Sequence, residues 1–191
     1  MKSKKLLSII LALAMMFSVL PASTVLVHAE AITETISADT TWNDGDTVGG
    51  VTISGGTVTI NGDVGITAEI TIKGNVTFTG GGTLNRMSPS GNLIKVESGS
   101  LTLNNVTIDG TDVTISDSWT AAAINMAGGT VIMNDGAKIT NHKRTSGYGP
   151  AVYMAGGNFK MKGGTISGCE SRNYGGAIYL DGGSFEMNGG I

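Results

Sequence analysis

A phrase of about two dozen residues recurs along this chain: a glycine pair, an alternating apolar segment, an asparagine, and a turn. Its clearest copy runs from Gly175 to Gly190, GGAIYLDGGSFEMNGG. Upstream copies read GPAVYMAGGNFKMKGG (Gly149 to Gly164) and AAAINMAGGTVIMNDG (Ala121 to Gly136), with fainter ones from Asn92 to Asn105 and from Gly50 to Asp63. A unit this small cannot bury its own apolar face, so it must stack on its neighbours.

Aligned on the segment after the glycine pair, the first inward positions are Val58, Val76, Leu101, Val131, Phe159 and Phe185. Two residues on come Ile60, Phe78, Leu103, Met133, Met161 and Met187, with mainly polar residues between. This period of two marks half-buried β-strand. Successive copies are separated by 18, 25, 30, 28 and 26 residues. Strand spacing is kept while loop length varies, which predicts an all-β, right-handed parallel β-helix of about five to six coils.

A second strand is expected before each glycine pair, at Ile124/Met126, Val152/Met154 and Ile178/Leu180 among others. A third follows the asparagine turn at Val106/Ile108, Ala137/Ile139 and Thr165/Ile166. Asn61, Asn104, Asn134 and Asn188 recur at one position of the turn, where asparagine tolerates a left-handed backbone and can ladder between coils.

The ends carry different messages. Lys2, Lys4 and Lys5 precede an apolar run from Leu6 to Leu20, closed by Pro21, and Val27-His28-Ala29 supplies a small-x-small pattern. Residues 1–29 therefore read as a cleaved export signal, with no membrane insertion after its removal. Residues 30–50, with Trp42, read as the N-terminal cap, and 51–191 as the β-helix repeats. The chain stops at Ile191 in mid-phrase, so a longer protein is expected.

The net charge is −3 and three of the lysines lie in the export signal, which argues against nucleic acid as a partner. Cys169 is the only cysteine, so no internal disulfide is expected; it reads as a small semi-buried residue.

Three loops leave the third strand in the same phase: Asp109 to Thr120, Thr140 to Gly149 and Ser167 to Gly175. They are expected to stack along one edge and to present Trp119, His142, Arg144, Tyr148, Arg172 and Tyr174 as a binding surface. Aromatic faces interleaved with polar groups suit glycans or a cell-surface or host protein. No catalytic pair, metal set or cofactor motif is expected: the outward columns hold mostly Thr, Ser, Asn and Lys. Asp44-Gly45-Asp46 is too short for a calcium loop.

Gly175-Gly176-Ala177-Ile178 with Phe185-Glu186-Met187-Asn188 resembles the GGAI and FxxN repeat of the polymorphic outer-membrane-protein family of adhesin-like β-helices. Gly149-Pro150-Ala151-Val152 and Phe159-Lys160-Met161-Lys162 depart from it, and earlier coils keep only the tail, as Val131 to Asn134. More loosely, residues 51–191 are similar to exported pectin-lyase-like repeat proteins of Gram-positive bacteria. The resemblance implies a secreted or cell-surface bacterial binding or stalk module, non-enzymatic in this region. The alternative it implies is a polysaccharide lyase or glycoside hydrolase whose catalytic coils lie elsewhere.

Overall fold

Alternation along the chain becomes a stack of turns whose strands pair with those of the turns above and below. The computed structural model describes residues 35–116 and 120–191. The first pass carries β1 (Thr35–Ile36), β2 (Thr40–Asn43) and β3 (Thr47–Val48). The second carries β4 (Thr52–Asn61) and β5 (Asp63–Ile66), and the third β6 (Ile70–Thr79) and β7 (Thr83–Arg86). The fourth has β8 (Ile94–Val96), β9 (Ser100–Leu103), β10 (Thr107–Asp109) and β11 (Thr114–Ile115). The fifth repeats it with β12 (Ile124–Met126), β13 (Thr130–Met133), β14 (Lys138–Thr140) and β15 (Lys143–Arg144). The sixth has β16 (Val152–Met154), β17 (Asn158–Met161), β18 (Thr165–Ser167) and β19 (Glu170–Ser171), and β20 (Ile178–Leu180) and β21 (Ser184–Met187) follow.

These strands form three all-parallel sheets, a β-solenoid. The largest joins the strands on both sides of the glycine pair, in the order β20-β16-β12-β8-β6-β9-β13-β17-β21, with β4 beside β6 and with β1 and β2 beside β4. It is continuous because β4 and β6 cross the corner without a break. The second sheet runs β18-β14-β10-β7-β5-β3, so the third strand of each turn begins far earlier than Val106. The third sheet, β11-β15-β19, lies inside the segments expected to be loops. No helix occurs among the described residues.

Like residues lie over like in the later coils. Val131 pairs with Phe159 and Phe159 with Phe185, while Met133, Met161 and Met187 form one column. The two phenylalanine rings stack with centroids 5.4 Å apart. Burying a side chain of this size contributes roughly 1.5–3 kcal/mol. Trp42, 6% exposed, lies in register with Ile60 and packs edge-on to Phe78 at 5.9 Å.

One register differs from the alignment by residue type. Val58 stacks on Phe78, whereas Val76 lies opposite Gly56. The shift is two residues, which keeps every inward side chain inward. It arises beside an irregularity between Ile53 and Gly55. There Gly74 brings its backbone against the Ser54 carbonyl, at a distance that leaves no room for a Cβ.

The recurrent asparagines divide their roles. Positive φ belongs to Asn105 (47°) and Asn141 (61°), not to the expected positions. Asn134 instead donates from Nδ2 to Asn104 Oδ1 at 2.7 Å, a rung between adjacent coils. Asn134→Ala is expected to lower the unfolding free energy by about 1 kcal/mol, read from the urea midpoint. An unchanged midpoint would mean that water replaces the rung at no cost.

Candidate functional site

On the outer face of β16 and β20, alternation turns one residue per strand away from the core. In β16 it is Tyr153 and in β20 Tyr179, paired directly in register. Their rings stack at 5.9 Å with planes 9° apart. The arcs that lead into these strands bring two more tyrosines alongside. Tyr148 and Tyr174 form a parallel bridge, and Gly149 N donates to the Tyr174 carbonyl at 3.3 Å. Gly149 and Gly175 adopt φ of +40° and +61°, so the chain turns inward directly after each ring.

The result is a four-ring stack. Tyr148 meets Tyr174 at 5.7 Å and Tyr179 at 4.4 Å, with planes 26° and 23° apart. The chain has four tyrosines, so every one is committed to this surface. Tyr174 is 64% exposed; Tyr148 and Tyr179 are half-buried, and Tyr153 is buried. The Tyr153 hydroxyl donates to Asp181 Oδ2 at 3.3 Å. Burial pushes its phenol pKa up, and the Asp181 carboxylate adds to the rise. Along the same outward column lie Asn125, then Lys95 and Thr71. Lys95 and Lys73 clasp Glu97 at 2.8 and 3.3 Å, and the two lysines hold its carboxyl below the ordinary range.

Beneath this face two buried arginines serve the backbone. Arg144 points inward from β15 and is 3% exposed. Its Nε donates to the Ser146 carbonyl at 2.5 Å, and its Nη1 to the carbonyls of Ala121 and of Tyr148, the latter at 2.8 Å. Arg86 repeats the device on an earlier coil, donating to Ser88, Gly91 and Ala122 carbonyls at 3.2, 3.0 and 2.8 Å. Such a fork satisfies several arc carbonyls that face away from solvent.

His142 sits beside them with no exposed surface, and neither ring nitrogen has a hydrogen-bond partner. Burial, with Arg86 adding to it, drives its pKa down to about 3; the nearby Ile108 carbonyl and Asp109 pull the other way without offsetting this. Asp109 itself stays below the usual carboxylate range. Burial opposes its ionisation, but bonds from Thr111, Thr140 and Asn141 outweigh it. Cys169 is partly buried, its Sγ 3.4 Å from the Ser167 carbonyl, and burial raises its thiol pKa. It is not an activated nucleophile.

The expected surface is thus sorted by the geometry. Tyr148 and Tyr174 come together on the outside, and Arg172 is exposed in the arc before Tyr174. His142 and Arg144 do not join them. Both project into the interior, because a short strand replaces the expected loop and its alternation sends Lys143 out and Arg144 in. Trp119 lies outside the described residues. Sequence reasoning missed Tyr153 and Tyr179, although their signal was present: each follows the first inward residue of its strand in two adjacent copies. Among the described residues no three His, Cys, Asp or Glu side chains gather into a set that could hold a metal ion.

What the stack offers chemically is apolar ring surface edged by hydroxyls, the combination that packs against the C–H faces of a sugar while bonding its hydroxyls. Comparison with known protein families, with curated proteins and with solved structures finds no match for this chain.

Proposed function

We propose that this chain is an exported, adhesin-like β-helix that acts at the cell surface or in the medium as a carbohydrate-binding module. The observation that carries the proposal is the gathering of all four tyrosines into one outward stack, ending in the exposed ring of Tyr174. A monomeric solenoid needs none of these rings to fill its core, which is built from the inward columns. The export signal read at residues 1–29 and the GGAI and FxxN resemblance support the same reading.

The test is a glycan array followed by titration calorimetry on the best binder, with Tyr148→Ala and Tyr174→Ala beside the parent. Each truncation is expected to weaken binding about tenfold, equivalent to roughly 1.4 kcal/mol. Equal affinity of parent and both variants, or no glycan bound by the parent, overturns the proposal. Unsaturated products or new reducing ends released from pectic polymers would make the protein an enzyme and overturn it as well.

A further inference from the structure

The tightest contact in the tyrosine stack is also a contact between coils. Tyr148 precedes β16 and Tyr179 lies within β20, and their ring centroids are 4.4 Å apart, closer than either flanking pair. Both partners are held in place. Arg144 bonds the Tyr148 carbonyl from inside, and β20 is paired along its length with β16. Gly149 makes the approach possible, since a Cβ there would lie 2.9 Å from Tyr179 Cβ. The exposed Tyr174 touches Tyr148 and is the ring that an outside oxidant meets first. Among the described residues, the tryptophan Trp42 is buried and Cys169 is a partly buried thiol, so neither competes well for the oxidant.

We infer that Tyr148 and Tyr179 are an oxidative cross-linking site, joined by a haem peroxidase and hydrogen peroxide into an intrachain dityrosine. Each phenol gives up one electron and one proton. The two phenoxyl radicals join through ring carbons ortho to the hydroxyls, forming one C–C bond. The ring hydrogens at that bond then move to the oxygens, restoring both aromatic systems. Peroxide takes up the two electrons and two protons and leaves as two waters, so the protein loses two hydrogen atoms. With a single cysteine, the chain has no internal disulfide, and this bond would tie consecutive coils covalently in an oxidising setting. The inference rests on the geometry of the stack and not on what the stack binds.

The experiment treats the full chain, dilute, with a haem peroxidase and hydrogen peroxide. Dityrosine fluorescence, intact mass of the monomer and peptide mapping are the readouts. The expected result is a monomer lighter by two hydrogens, with the segments bearing Tyr148 and Tyr179 joined. Tyr148→Phe and Tyr179→Phe should each abolish that intrachain product, and Tyr153→Phe should keep it. Phenylalanine preserves the ring packing, and circular dichroism of each variant checks the fold. Coupling only between chains, an intrachain bond at another pair, or a product that survives Tyr148→Phe overturns the assignment. So does the absence of coupling where free tyrosine in the same tube couples.

Discussion

Arg144→Met should lower the unfolding free energy by on the order of 3–5 kcal/mol, in the range of a broken buried network. The side chain is 3% exposed and its guanidinium serves the carbonyls of Ala121, Ser146 and Tyr148. Methionine keeps the apolar stem and withdraws every donor. A buried acceptor left without a partner costs about 1–3 kcal/mol, and the acceptors nearest solvent recover part of it through water. Lysine should rescue little, because a point charge cannot span a fork of three acceptors. Arg172→Met, on the exposed arc, should stay within about 0.5 kcal/mol of the parent. Urea unfolding followed by far-ultraviolet circular dichroism makes the comparison. Equal midpoints for the two variants would show that the arcs hold themselves. A large Arg144 effect would also loosen Tyr148, so glycan binding and dityrosine yield should fall with it.

The second large effect is a dependence on pH set by His142. Its folded pKa is about 3, against about 6.5 in an unfolded chain. Between those values the unfolded state binds a proton that the folded state refuses, so stability rises with pH across that window. The contribution is complete above pH 6.5, declines as pH falls toward 3, and is flat below. The slope is about 1.4 kcal/mol per pH unit, so a loss of about 2 kcal/mol is expected from pH 6.5 to 5. Free Asp and Glu side chains titrate below that interval, at about 3.9 and 4.3, so His142 dominates it. The charged groups that act on it are Arg86, which deepens the depression, and Asp109, which opposes it. His142→Leu should flatten the profile between pH 6.5 and 5 and leave stability at pH 7 equal to the parent or about 1 kcal/mol higher, because two orphaned nitrogens disappear. Parallel profiles for parent and variant would refute the assignment.

Much of the scaffold was legible in the residues. The columns Phe159/Phe185 and Met133/Met161/Met187 follow from alternation and repeat phase, and the structure stacks them as expected. The register of Val58 was not legible, because a period of two cannot distinguish a position from its neighbour two residues away. The structure places the irregularity between Ile53 and Gly55, where Gly74 approaches the Ser54 backbone, and no letter pattern marks it. Arg144 misled for another reason. A guanidinium reads as surface, while the carbonyl lone pairs that draw it inside have no letter in the sequence. His142 was hidden likewise, since nothing in its neighbours announces that the residue leading into β15 is fully buried. Tyr153 and Tyr179 could have been placed from strand phase, but the expected surface was drawn from the loop residues alone.

The arcs between strands differ in length from coil to coil while the pairing stays in step. Length in the arcs is therefore a free variable, and length within a strand is not: outside a glycine corner such as that at Gly55 and Gly74, which absorbs one extra residue, an added residue turns the side chains that follow it inside out. A lineage carrying such a scaffold can rewrite the rim of the molecule by insertion and deletion without reopening its core. The tyrosine stack draws on both regimes, two rings set by strand phase and two by arc. New recognition would then arise by changing an arc against a fixed aromatic partner, with half of the surface always kept.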